Sequence, residues 1–345
     1  MTSKRKNIFN AIFLLSVFII TFYSIFHDEN IDELITYIHN ADARYWIVAI
    51  VCVVIYICSE AAIIFYMMHT IKQKIKIGHC FMYSFVGFFF SCITPSASGG
   101  QPAQIYYMRK DDIPIPVATL VLMIVTITYK MVLVAIGAVI LIIRPAEIMY
   151  YLRPVLGWCY LGLSLNVVCI SFMLLLVFRP AIAEDILILI VNALGKTRFA
   201  KHTNQYLEKI KEAMQQYKDV TVYFQTHKPV IFNVLVITII QRLVLFFVTY
   251  LTYRSFGLDS IGIITILLLQ GMISVAVDML PLPGGMGISE KLFLSIFTPI
   301  FGKLTLSAMI ISRGLSYYTE LILSALLTIV AHLVIGRKRE RKNAE

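Results

Sequence analysis

The sequence predicts an all-α, polytopic membrane helix bundle of six full spans plus two opposed re-entrant, broken-helix segments, in an order that an inverted repeat would produce. Three observations predict it. Charged residues make up only 14% of the chain against 59% hydrophobic, where a soluble domain carries about 25% charged residues. Apolar runs of about 20 residues, the length that crosses a bilayer core, recur along the chain. Two further apolar regions are interrupted in the middle by proline and glycine. No stretch has the composition of a second soluble core, so residues 1–345 read as a single integral membrane domain.

The full spans fall at 7–26, 46–68, 115–143, 154–178, 229–253 and 304–335, and the interrupted regions at 79–108 and 261–300. The first run follows Met-Thr-Ser-Lys-Arg-Lys, yet it is too long for a signal-peptide core and has no small-residue cleavage site. It reads as a spanning helix. Residues 28–44 form an external acidic segment with Asp28, Glu29, Asp32, Glu33 and Asp42. Charge then sets the topology. With a cytoplasmic N-terminus and both interrupted regions re-entrant, segments 1–6, 69–78, 109–114, 179–228 and 336–345 are cytoplasmic. They hold 21 Lys and Arg against 5 outside, a strong positive-inside bias. If 79–108 crossed fully, the eight-cation loop 179–228 would be external; if 261–300 crossed once, Arg337, Lys338, Arg339, Arg341 and Lys342 would be. The expectation is a multi-pass protein of the cell (cytoplasmic) membrane, both termini cytoplasmic, with re-entrant segments approaching from opposite faces. Within the amphipathic loop 179–228, Leu207, Ile210, Met214, Tyr217, Val220 and Phe224 recur at helical spacing. They predict either a helix on the cytoplasmic membrane surface or a connector packed on the domain.

Several classes are excluded. The net charge of +10 sits in the cytoplasmic loops, so no nucleic-acid partner is expected. The six cysteines lie in or beside apolar segments without a CxxC pair, and the seven histidines show neither HxxxH nor HExxH spacing. No metal site and no cofactor are expected.

The broken segments carry the functional signal. One reads Ser91-Cys-Ile-Thr-Pro-Ser-Ala-Ser-Gly-Gly-Gln-Pro-Ala-Gln-Ile-Tyr-Tyr-Met108, the other Asp278-Met-Leu-Pro-Leu-Pro-Gly-Gly-Met-Gly-Ile-Ser-Glu-Lys291. Each has proline, a Gly-Gly pair (Gly99-Gly100; Gly284-Gly285) and polar residues leading into a new apolar helix. Proline removes a donor and glycine permits positive φ, so no helix runs through either segment. The freed backbone must be buried in protein or line an aqueous cavity. Opposed broken helices point to a transport site, and restarting helices offer N–H groups to an anion such as phosphate. The bland alternative is a pair of packing kinks; the clustered Ser96, Ser98, Gln101, Gln104, Asp278, Ser289 and Glu290 favour the functional one. Lys130, Arg242, Lys291, Arg313, Glu60, Asp278, Glu290 and Glu320 fall at or near membrane depth, where a charge costs at least about 2.5–3.5 kcal/mol. Glu60, Glu290 and Lys291 are close enough to an interface to snorkel. Arg313, Tyr317 and Glu320 share one face of the last helix, and an Arg fork suits phosphate. Structural ion pairing is the competing explanation. The candidate lipid- or anion-binding set is Ser98, Gly99, Gly100, Gln101, Gln104, Lys130, Arg242, Gly284, Gly285, Ser289, Glu290, Arg313 and Tyr317, with no catalytic residue assigned.

At Thr94-Pro95…Gly99-Gly100-Gln101-Pro102, at Pro281-Leu-Pro-Gly-Gly-Met-Gly287 with Ser289-Glu290, and at Arg313 with Tyr317, the chain resembles the lysylphosphatidylglycerol synthase transmembrane-region family of flippase-like membrane proteins. The resemblance covers most of the chain. It implies re-entrant helices and movement of an anionic or aminoacylated phospholipid or a polyprenyl-linked lipid between leaflets. In two-part members a soluble acetyltransferase-like domain transfers lysine from charged tRNA to phosphatidylglycerol. This chain ends at Glu345, soon after its last span, so no enzymatic activity is expected of it alone. Three readings stand: a lipid translocator; a phosphatidylglycerol lysyltransferase, the one case that would involve tRNA; and a non-catalytic membrane partner in envelope lipid assembly. Homo-oligomerisation is left open.

Overall fold

The computed structural model describes residues 31–195 and 203–336. The span expected at 7–26, the basic residues of 1–6, Asp28, Glu29 and the cationic tail from Arg337 lie outside the described residues. What is described is helical, with no strand. The helices are α1 (Ile31–Asn40), α2 (Arg44–Thr70), α3 (Ile77–Ile93), α4 (Gly100–Lys110), α5 (Ile115–Ile143), α6 (Ala146–Leu152), α7 (Leu156–Phe178), α8 (Pro180–Gly195), α9 (Thr203–Thr226), α10 (Lys228–Ser255), α11 (Ile263–Val277), α12 (Ile288–Phe301), α13 (Thr305–Arg313) and α14 (Thr319–Ala331). A π-helical turn, Gly314–Tyr318, joins the last two. Among the described residues five helical stretches are long and apolar enough to cross a membrane: Arg44–Thr70, Ile115–Ile143, Ala146–Phe178, Lys228–Ser255 and Ile288–Val334. The protein is an all-α polytopic membrane bundle.

Proline sets the helix ends. α3 stops before Thr94, which is extended (φ −113°, ψ 147°), as the residue preceding proline is pushed out of the helical region. Pro114 likewise caps α5 in an extended conformation. The two breaks then solve the chain reversal differently. In the second, Gly284, Gly285 and Gly287 take positive φ (56°, 67° and 83°). In the first, the positive φ values belong to Ser96 and Ala97 (50° and 54°), while Gly99 is right-handed. This corrects the expectation that both Gly-Gly pairs serve φ. A Cβ on Gly100 would lie 2.1 Å from Ser91 Oγ and 2.7 Å from the Gly87 carbonyl oxygen. Gly100 is therefore needed for close packing of α4 on α3.

Each break joins two helices into a hairpin unit, α3–α4 and α11–α12, and the two units pack against opposite ends of α5, α7 and α10. One apolar core gathers Tyr83, Val86, Tyr107 and Met108 of the first hairpin with Val117–Ile127 of α5, Val177 of α7 and Val230 of α10. Another gathers Ile266, Met272, Phe293 and Phe297 of the second hairpin with Ile140 and Leu141 of α5, Cys159 of α7 and Tyr253 of α10. The same three spanning helices therefore contribute one end to each core. Between the cores the hairpin tips touch, with the backbones of Pro95 and Pro283 paired antiparallel.

The helix at 204–224 is the packed connector of the two readings. Met214, Tyr217 and Phe224 are buried in the first core. Tyr217 donates to the Leu176 carbonyl at 3.4 Å, and Lys218 pairs with Glu184 of α8 at 2.9 Å. The side chains of Leu207 and Ile210 lie outside the described residues.

Candidate functional site

Where the hairpin tips meet, the bundle forms a partly open cavity of about 430 Å³, lined from α2, α3, α4, α5, α7, α10, the last helix and both breaks. Its walls carry five ionisable side chains of the Asp, Glu, Lys and Arg classes: Glu60, Asp278, Glu320, Lys130 and Arg242.

Lys130, buried in the middle of α5, forms an ion pair with Asp278 at 2.5 Å and reaches Asn166 Oδ1 at 3.4 Å. The Tyr129 hydroxyl donates to the other Asp278 oxygen. Asp278 directly follows α11, so this pair fastens the second hairpin to α5. Arg242 is held differently. Its Nη1 donates to the Tyr56 hydroxyl at 3.0 Å. Its guanidinium carbon lies 3.7 Å from the Tyr129 ring centroid and 5.0 Å from that of Tyr56. Its Nε is buried without a hydrogen-bond partner among the described residues. Glu60 accepts from Gln104 Nε2 at 2.7 Å. Gln104 reaches it by crossing Gly87, where a Cβ would lie 2.4 Å from the amide nitrogen. Glu320 accepts from the Cys92 thiol at 3.4 Å. The Gln101 amide donates to the Thr126 hydroxyl, tying α4 to α5.

A clasp lies beside this cavity. Arg313 Nε donates to Glu290 Oε1 at 2.8 Å, and Nη2 to the Gly284 carbonyl at 3.0 Å. The other Glu290 oxygen accepts the Gly287 N–H at 2.6 Å, so the positive end of α12 already holds a carboxylate. Arg313 also stacks on Tyr317 at 4.6 Å, and the Tyr317 hydroxyl donates to the Cys92 carbonyl at 3.0 Å. Ser96 Oγ donates to the Leu280 carbonyl at 3.1 Å. The last helix thereby grips both hairpins, and its π-turn sits between Arg313 and Glu320. Such turns concentrate at functional sites.

Of the candidate set, Ser98, Gln101, Gln104, Lys130, Arg242, Gly284 and Tyr317 line the cavity. Gly99, Gly100, Gly285, Ser289, Glu290 and Arg313 lie off it, in the packing and the clasp around it. Glu60, Asp278 and Glu320 are visible in the sequence as intramembrane charges but fall outside the candidate set; they are cavity-lining. Glu60 and Glu290 do not snorkel: one lines the central cavity, the other is buried on Arg313. Lys291 is exposed. Tyr56 has no signal in the sequence beyond its place one turn before Glu60. Among the described residues no group of three or more His, Cys, Asp or Glu could hold a metal ion.

The sequence matches the family model described as the lysylphosphatidylglycerol synthase TM region over residues 9–324. A search of curated proteins finds no match. A multi-pass helical membrane protein with charged side chains converging between two broken helices, matched by one family model over nearly its whole length, the chain belongs to the lysylphosphatidylglycerol synthase TM region family of membrane proteins related to lipid handling.

Proposed function

We propose that this protein translocates the headgroup of an anionic or aminoacylated phospholipid, or of a polyprenyl-linked lipid, across the cytoplasmic membrane, both of its termini lying on the cytoplasmic side. The observation that carries the reading is the convergence of Glu60, Lys130, Arg242, Asp278 and Glu320 on one cavity between the hairpin tips. Charges at this depth are costly and mark substrate pathways, and ligand pockets occupy about 300–1,000 Å³. Lys130 and Arg313 already hold carboxylates. Arg242 has none within ion-pair distance among the described residues, and it offers an unpartnered buried N–H. It is the group placed to take a phosphate, while Glu60 and Glu320 suit an amine.

Proteoliposomes carrying fluorescent phosphatidylglycerol, lysylphosphatidylglycerol or a polyprenyl phosphate test this. Exchange of at least one lipid is expected to exceed that of protein-free vesicles, and Arg242→Ala is expected to remove most of the excess, about tenfold or more if a charge-assisted phosphate contact worth about 1.5–3 kcal/mol is lost. Exchange equal to protein-free vesicles for all three lipids would reject translocation.

A further inference from the structure

We infer that Glu60 and Glu320 form a proton-binding site in the central cavity, and that an anionic headgroup entering the cavity is accompanied by uptake of one proton. The second half rests on the transport reading above. Three carboxylates and two cations line the cavity. Lys130 answers Asp278 at 2.5 Å. What remains is Arg242 facing two carboxyl groups, and among the described residues neither Glu60 nor Glu320 has a cationic nitrogen within 4.0 Å. Fully ionised, the cavity would carry one net negative charge at membrane depth, where little solvent screens it. One proton on the Glu60–Glu320 pair cancels that charge.

The contacts suit this state. Each carboxyl is held by one neutral donor, the Gln104 amide at 2.7 Å and the Cys92 thiol at 3.4 Å. Either donor can serve a carboxylate or the carbonyl oxygen of a neutral acid. The other groups facing the pair leave the balance unchanged. Tyr56, Tyr129 and Tyr317 are phenols, Cys92 and Cys169 are thiols, and Arg313 behind Tyr317 is held by Glu290.

An anion seated on Arg242 restores the net negative charge, so the second carboxylate becomes a proton acceptor. The step is a simple protonation: a carboxylate oxygen takes a proton from water on the loading side and returns it to water on the other, and no covalent bond of the lipid changes. Binding of anion and proton must then strengthen each other reciprocally. The pair crosses without net charge, so transport responds to a pH gradient and not to voltage.

The test uses the full chain with two separate readouts. Infrared difference spectra between about pH 6 and about pH 9, a range in which ordinary Asp and Glu side chains stay ionised, report a neutral carboxylic acid without any lipid. Wild type is expected to show its C=O band, and the Glu60→Gln/Glu320→Gln variant, verified as folded by its melting curve, is expected to lose it. Calorimetric titration with dihexanoylphosphatidylglycerol in two buffers of different ionisation enthalpy counts protons. About one taken up per lipid is expected for wild type near neutral pH, and about none for any lipid the double variant binds. A band absent from wild type, a band persisting in the double variant, or lipid binding without proton uptake would overturn the inference. If the band behaves as expected but wild type binds no lipid, the proton site stands and the transport reading loses its support.

Discussion

Arg313 and Arg242 show how the same residue type is put to two uses in one bundle. Arg313 is ion-paired: Glu290 takes its Nε, the Gly284 carbonyl takes Nη2, and Tyr317 covers its face. Removing one member of such a pair leaves the other charge buried and costs about 3–5 kcal/mol. Arg313→Met should therefore lower the melting temperature in detergent sharply. Arg313→Met/Glu290→Gln should recover much of the loss, because glutamine can still accept the Gly287 N–H. Additive losses in the double-mutant cycle would show that the two side chains are not coupled. Gly284 is a second sensitive position. Its φ is +56°, and a Cβ there would lie 2.2 Å from the Tyr317 ring. Gly284→Ala is expected to cost at least about 1–3 kcal/mol in backbone strain alone, with the ring clash added. Gly78→Ala, where nothing lies within 4 Å, is the matched control. Equal melting curves for the two variants would contradict the geometry. The sequence revealed the charges at these positions but not their partners. Arg313 and Glu290 are 23 residues apart on different helices, and nothing in either local pattern says that they meet while Arg242 stays unpaired.

At the scale of the element, the hairpins are the units that could move. Their tips meet through the Pro95–Pro283 backbone pairing and the Ser96–Leu280 contact. Antiparallel partners stand about 4.5–5.5 Å apart at Cα, within disulfide reach. Pro95→Cys/Pro283→Cys is expected to cross-link on mild oxidation, seen as a linked peptide by mass spectrometry, and to stop lipid exchange reversibly if the tips part during transport. Exchange that continues with the link in place would mean the tips stay together throughout. The breaks were legible because proline and glycine forbid a continuous helix whatever surrounds them. Their internal logic was not. The Gly-Gly pairs look alike in sequence, yet Gly284 and Gly285 supply positive φ while Gly100 supplies room for Ser91 and the Gly87 carbonyl. That difference depends on which neighbour presses on the chain. The π-turn at Gly314–Tyr318 was equally hidden, since it inserts its extra residue without disturbing the apolar pattern.

At the scale of the whole molecule, the spanning helices followed from length and hydropathy, and their convergence on a shared cavity did not. Tyr56, Lys130, Arg242 and Glu320 come together only once four separate helices pack. Orientation is a property of the same scale. The basic loop at Lys72–Lys76 and the turn at Lys303 belong to opposite ends of the bundle, beside the first and the second core, and the proposed orientation puts the former in the cytoplasm. Lys74 and Lys303 are exposed, and the six native cysteines are buried or partly buried. A membrane-impermeant maleimide added outside intact cells is expected to label Lys303→Cys and not Lys74→Cys; the reverse pattern would invert the topology. The central Pro95–Pro283 contact has a consequence of its own. Paired backbone inside the bundle is an adhesive edge, apt to lengthen into a ladder and set like a zipper. The residue after each proline, Ser96 on one side (φ 50°) and Gly284 on the other (φ 56°), leaves the extended region. The pairing is thereby limited to a single rung, so the two halves of the molecule can rest against each other without fusing.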